Sequence, residues 1–154
     1  MTPIRWGILG AAKFAREQMA PAIHAAKDAQ LVALATSDPA KAAPCEALAP
    51  GLRVLGDYDA VLADPDIDAV YVPLPNALHV EWTRKALEAG KHVLTEKPIA
   101  MRADEIDALI ALRDQTGLVA AEAYMIVHHP QWHEVLRLVQ DGAIGDLLRV
   151  NATF

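Results

Sequence analysis

Short apolar runs alternate with longer stretches of helical periodicity along most of this chain, the order that βαβ units require. Residues 4–9 are predicted as a first strand, followed by a helix over 14–26 whose apolar side carries Phe14, Met19, Ala22 and Ile23. A second strand, 30–36, is nearly all apolar at Leu31-Val32-Ala33-Leu34-Ala35. Such a run suits a parallel strand covered on both faces. Ser37-Asp38-Pro39 then opens a short helix, 40–48, with proline in its first turn. A brief third strand (53–55), a short helix (58–63) and a fourth strand (69–72) come next. Pro73-Leu74-Pro75-Asn76 makes a rigid turn into a helix over 77–89, which Gly90 ends. A fifth strand (92–95), a helix (103–116) and a sixth strand (118–121) complete a wound unit. Ile106, Leu109, Ile110 and Leu112 form the apolar stripe of that helix, and Gly117 stops it.

The pattern changes after residue 121. Pro130 starts a last helix, 130–140, stopped by Gly142. From 147 to 154, Leu148, Val150, Ala152 and Phe154 alternate with Arg149, Asn151 and Thr153. This period of two marks a half-exposed strand of a different kind of sheet. The predicted fold is therefore α/β: a doubly wound parallel sheet, a Rossmann fold, ending in the first strand of an absent α+β domain. Residues 1–124 are assigned to a dinucleotide-binding domain, and 125–154 to a linking helix and the start of a substrate domain.

Composition narrows the function. At 154 residues, 53% hydrophobic and 22% charged, the chain is long and apolar enough for one real core. A net charge of -6, with no cluster of Lys and Arg among aromatics, argues against a nucleic-acid partner. No apolar run is long enough to span a bilayer, so no membrane partner is expected. Met1-Thr2-Pro3-Ile4-Arg5 leads straight into a strand without a signal-peptide pattern, and Cys45 is the single cysteine. Both fit a cytoplasmic protein. Cys45 lies among Pro and Ala with no His nearby and reads as an inert thiol.

The first strand runs into Gly7-Ile8-Leu9-Gly10-Ala11-Ala12. Small residues there allow a tight turn, close approach of backbone to a pyrophosphate, and close helix–strand packing. Gly10, Ala12 and Ala15 occupy those three positions, a relaxed form of Gly-x-Gly-x-x-Gly. The helix start then offers N–H groups to an anion. Alanine-rich strand–helix turns also match this pattern without binding anything, so its place at the first strand and first helix gives it weight. The second strand ends Thr36-Ser37-Asp38. An acid at its end would take the ribose 2′-hydroxyl of NAD. Here Thr36 and Ser37 are neutral, and Asp38 stands late enough to read as a helix cap. Lys41 reads either as a contact for a 2′-phosphate or as a solvated lysine. The balance leans to NADP over NAD. Thr95-Glu96-Lys97-Pro98 puts an ammonium at the carboxyl end of a later strand, where open α/β sheets bind ligands.

With the cradle, Pro75-Asn76-Ala77-Leu78-His79 and Thr95-Glu96-Lys97-Pro98 in this order, the chain resembles the Gfo/Idh/MocA oxidoreductases. The resemblance continues through Glu122-Ala123-Tyr124-Met125 and His129-Pro130-Gln131 to Gly142-Ala143-Ile144-Gly145. It implies a Rossmann domain joined to a domain with a large open sheet. It also implies NAD(P)-dependent hydride transfer at hydroxyl or carbonyl carbons of sugars, polyols and dihydrodiols. Such a protein takes a small, carbohydrate-like substrate and can be a homo-oligomer. On this match Gly10, Ala12, Lys13 and Phe14 would cradle the pyrophosphate. Leu74, Pro75 and Asn76 would line the adenosine and ribose side, with His79 behind them. Glu96 and Lys97 would meet the nicotinamide ribose, and Lys97 would reach the substrate oxygen as the catalytic residue. The resemblance admits a cis peptide before Pro98 and places His128 toward a substrate. Ile126-Val127 stands where many members carry an aromatic-Arg pair, so that contact is lost.

His128, His129 and His133 invite a metal reading, but Pro130 intervenes and no Glu follows His129 as a zinc helix requires, so no metal is assigned. His129 reads instead as a helix start. The alternative function is a dinucleotide-binding fragment without turnover of its own. A methyltransferase on the same wound sheet would leave Glu96-Lys97-Pro98 without a role.

Overall fold

A computed structural model describes residues 2–153, the side chain of Pro39 excepted. The chain divides into two compact units, Met1–Ala123 and Tyr124–Phe154.

The first unit is a six-stranded sheet in the order β3-β2-β1-β4-β5-β6. Its strands are β1 (Ile4–Leu9), β2 (Ala29–Ala35), β3 (Arg53–Leu55), β4 (Ala69–Val72), β5 (His92–Glu96) and β6 (Ala120–Ala123). Every neighbouring pair is parallel. The helices between them are α1 (Ala20–Ala25), α2 (Pro39–Glu46), α3 (Tyr58–Ala63), α4 (His79–Glu88) and α5 (Ala103–Thr116). The strand order reverses between β1 and β4. This is the switch point at which wound sheets open a crevice.

Two apolar layers sandwich the sheet. One packs Leu9, Val70, Val72 and Val93 of the strands against Val61 and Leu62 of α3 and Trp82, Ala86 and Leu87 of α4. The other packs Ile8, Leu31, Leu34 and Tyr71 against Ala15, Ala20, Ile23 and Cys45. Close β1–α3 packing depends on Gly7, where an added Cβ would lie 2.7 Å from Val61 Cγ1. Lys91 is buried, and its ammonium donates to the carbonyls of Asp64 and Ile67, both at 2.7 Å. It thereby pins the loop before β4 to the start of β5.

Three sequence expectations for this unit need correction. The first helix contains a π-helical turn, Ala15–Met19, before α1. The wider turn rotates the face, so Ala15, Ala20 and Ile23 are buried while Phe14 and Ala22 are exposed. Strand β6 lies two residues later than expected, because pairing with β5 sets Val93 opposite Ala120 and Glu96 opposite Ala123. Of the stripe on α5 only Leu109 is buried, and Ile110 is exposed. This helix serves the sheet's edge half, with α4 as its neighbour.

The second unit holds a 3-10 turn, Met125–His128, and α6 (Pro130–Gln140). Arg137 bridges Glu134 and Asp141 along one side of α6. The expected strand over 147–154 does not form: residues 147–153 take no strand pairing, and Phe154 lies outside the described residues. A strand exists only against a partner edge, and alternation alone supplies none. Leu148 is left 93% exposed.

Candidate dinucleotide site

The residues singled out in the first unit gather at one edge of the sheet, beyond the carboxyl ends of β1, β2, β4 and β5. Gly10 follows β1 with φ +111°, a conformation that side chains oppose. An added Cβ there would lie 3.0 Å from Leu74 Cδ2. Its N–H donates to the Ala35 carbonyl at 2.8 Å, locking the turn to the end of β2. Ala12, Lys13 and Phe14 are exposed where the helical run begins, and Ala15 beneath them is fully buried. Helix-start N–H groups have no partner within their own helix. A turn shaped for backbone approach with free donors at its rim fits the pyrophosphate of a dinucleotide.

The end of β2 presents a less open picture. Thr36 is buried, and its hydroxyl oxygen accepts from the Asp38 N–H at 3.2 Å. Asp38 caps α2, accepting from the Ala40 N–H at 3.0 Å. It also pairs with the Lys41 ammonium at 3.2 Å, and that hydrogen bond leads the causes holding its carboxyl below the usual range. Ser37 is exposed, as is Lys41. Lys41 thus stands one turn beyond the end of β2 and shares its charge with Asp38. Cys45 is fully buried, and burial pushes its thiol up, as an inert thiol should behave.

Next to β1, the turn after β4 exposes Pro75 and Asn76, whereas Leu74 is buried under Gly10. His79 is fully buried. Its Nε2 faces the Leu74 carbonyl at 2.7 Å and its Nδ1 the Pro98 carbonyl at 2.7 Å. It holds two loops from behind and has no ring nitrogen left for a ligand, so a direct cofactor contact is not its role.

The segment after β5 is tied on three sides. The Lys97 N–H donates to its neighbour's carboxylate, Glu96 Oε2, at 3.2 Å. The Pro98 carbonyl meets His79, and the Ile99 N–H donates to Glu122 Oε1 at 2.9 Å. The Lys97–Pro98 peptide is cis. Two residues before Lys97, Thr95 of β5 shares a buried hydroxyl contact of 2.6 Å with Thr83, which ties α4 to β5. The Lys97 side chain is exposed, and among the described residues it joins no ion pair. Three contacts hold the backbone of this segment, and among the described residues the Lys97 ammonium has no ion-pair partner.

Tyr71 and Glu122 take part in this frame, and motif reading did not single out Tyr71. The Tyr71 hydroxyl donates to Glu96 Oε1 at 2.6 Å. A tyrosine inside the otherwise apolar Ala69–Val72 was the available signal, since a buried phenol needs an acceptor. His128 belongs to the second unit, in the turn before α6. His129 caps that helix, its Nδ1 accepting from the Gln131 N–H at 3.2 Å.

Comparison with known proteins gives the family and the fold. The description of the Gfo/Idh/MocA oxidoreductase family, NAD-binding Rossmann fold, matches residues 4–124. An uncharacterised oxidoreductase of Rhizobium meliloti is 44% identical over 154 residues, covering 100% of this chain and 46% of that protein. The dTDP-3,4-didehydro-2,6-dideoxy-α-D-glucose 3-reductase of Saccharopolyspora spinosa is 46% identical over 153 residues, 99% of this chain and 46% of the enzyme. The crystal structure of a 3-ketoreductase from Actinomadura kijaniata with NADP and TDP-benzene superposes with a TM-score of 0.87 at 38% identity. That match covers 94% of this chain and 44% of the other. The chain thus spans a little under half the length of these relatives. Sequence and sheet topology place this chain in the Gfo/Idh/MocA family of oxidoreductases.

Proposed function

We propose that this chain binds a nicotinamide dinucleotide, NADP in preference to NAD, across the carboxyl edge of its sheet. The reaction served is hydride transfer between the nicotinamide and a hydroxyl or carbonyl carbon of a sugar, polyol or dihydrodiol-like molecule. The observation that carries this reading is the placement of the Gly10 turn and the Lys97 ammonium on strands flanking β4, at the switch point. The nucleotide-sugar reductases among the relatives, and the NADP of the superposed structure, support it.

In this reading the backbone from Gly10 to Phe14 holds the pyrophosphate, with Lys13 at its rim. Ser37 and Lys41 take the 2′-phosphate, Lys41 exchanging Asp38 for it. Thr36 shapes the end of β2 from below, and Pro75 and Asn76 line the ribose side. Glu96 and Lys97 meet the nicotinamide ribose. When bound, the nicotinamide supplies the hydride acceptor and donor chemistry. Oxidation of an alcohol carbon also releases the hydroxyl proton. In the oxidising direction Lys97 would take that proton as a neutral amine and release it to solvent. In the reducing direction its ammonium would polarise the carbonyl oxygen and donate the proton, and either role needs a side chain without a structural partner. Residues 1–124 would form the dinucleotide domain and 125–154 lead into a substrate domain, with His128 toward the substrate and no metal required. A cytoplasmic setting accords with the single, buried thiol.

Calorimetric titration of the chain with NADPH and with NADH tests the preference. NADPH is expected to bind more tightly, and Lys41→Ala to weaken NADPH alone by about 1 kcal/mol, the scale of an exposed charge-assisted contact. Equal affinities, or tighter NADH, would overturn it.

A further inference from the structure

Glu96 stands where the proposed site meets the nicotinamide ribose, yet nothing in its own strand fixes its carboxylate. The fixing group comes from the neighbouring strand. Tyr71 lies in register beside Leu94 of β5, fully buried in the apolar layer with Ile8, Leu31 and Leu34. Its ring is therefore held on all sides by packing. Only the hydroxyl reaches a polar atom, Glu96 Oε1 at 2.6 Å. The second oxygen, Oε2, takes the Lys97 N–H at 3.2 Å. The carboxylate is thus clamped between a side chain of β4 and the backbone of the catalytic segment.

We propose that Tyr71 is a positioning residue: its hydroxyl sets the carboxylate of Glu96, and through it the Lys97 backbone, in the geometry the dinucleotide site uses. Three observations support it. A buried phenol in an otherwise apolar strand costs desolvation unless it has a partner, and here the partner is the carboxylate next to Lys97. Burial, then the Glu96 carboxylate, pushes the Tyr71 hydroxyl far above the usual phenol range, so it remains a donor at any working pH. The ring's full burial gives the hydroxyl a fixed aim, unlike a surface donor. The role rests on the dinucleotide reading given above, but the clamp can be tested without it.

Tyr71→Phe removes one oxygen and leaves the packing. Two measurements on the full chain decide the matter. The first is the backbone amide resonance of Lys97 by NMR, without any ligand. It is expected to shift in Tyr71→Phe, because its acceptor is released, while amides of β1 and β2 stay in place. An unmoved Lys97 amide overturns the proposal whether or not a dinucleotide binds. The second is a double-mutant cycle with NADPH. Tyr71→Phe is expected to weaken binding about tenfold, the scale of losing a hydrogen bond to a charged group, and to have no further effect in a Glu96→Ala background. Equal losses in both backgrounds would show that Tyr71 acts through packing and would overturn the positioning role. If the unaltered chain binds neither NADPH nor NADH, the dinucleotide reading falls, and the Lys97 resonance still decides the clamp.

Discussion

His79 Nδ1 lies 2.7 Å from the carbonyl oxygen of Pro98, the residue that follows Lys97. Its other nitrogen lies 2.7 Å from the carbonyl of Leu74, the residue under Gly10. One fully buried ring thus joins the two loops that flank the crevice. His79→Ala would open a cavity and leave a buried carbonyl without the ring N–H that serves it. A loss of about 3 kcal/mol is expected, read as a lower midpoint in urea unfolding. An unchanged midpoint would show that the loops hold themselves.

Gly10 bears on both fold and binding. At φ +111° a Cβ is strained, and Leu74 would have to give way. Gly10→Ala is expected to cost about 1–3 kcal/mol and to abolish measurable NADPH binding, since the added methyl meets Leu74 beneath the turn and displaces the backbone that would approach the ligand. Thermal melting and calorimetry on one preparation separate the two effects. Normal binding in the variant would remove the turn from the site.

Acid stability should depend on Asp68. Its carboxylate accepts from the Arg5 backbone N–H at 2.8 Å and from the guanidinium at 2.8 and 3.0 Å. The guanidinium hydrogen bond leads the causes that lower its pKa to about 2. The unfolded value is about 3.9. A carboxyl depressed on folding adds stability that is complete above the unfolded value and is lost as pH falls through the folded one. The contribution should therefore fade between about pH 4 and pH 2. Asp68→Asn is expected to be less stable than the parent at pH 7 and to lose less between those limits. Parallel stability curves for the two proteins would contradict this.

Lys97 is expected to govern turnover and not folding. Its exposed side chain fills no cavity and bridges nothing among the described residues. Lys97→Ala should leave the melting temperature within about 2 °C. In a full-length version that carries a substrate domain, it should lower kcat for hydride transfer on the order of 100-fold, the scale of losing an acid–base or oxyanion contact. Lys97→Arg should not restore it, because a guanidinium keeps its proton. Stability and turnover falling together would make Lys97 a structural residue.

The sheet and the site were legible to different degrees. Leu31 to Ala35 and Ala69 to Val72 read as buried parallel strands because covering on both faces leaves no room for alternation. Gly10 and Lys97 could be singled out because turns and strand ends select residue types locally, and Asn76 through the family resemblance; the structure places all three at the carboxyl edge of the sheet. What depends on a neighbour was harder to see. The register of β6 is set by β5, the face of the first helix by a π-helical turn, and the orientation of Glu96 by Tyr71 across the sheet. His79 looked like a ligand contact because sequence shows a polar ring but not the two carbonyls around it. The alternation over 147–154 was read as a strand, but a strand also needs a partner edge.

The most direct test of the dinucleotide site is amide NMR mapping during titration of the full chain with NADPH. Saturable changes are expected at Gly10 to Phe14, Ser37, Asn76 and Lys97, on one edge of the sheet and around its switch point. No saturable change at any amide, or changes that leave the Gly10 turn and Lys97 untouched, would contradict it.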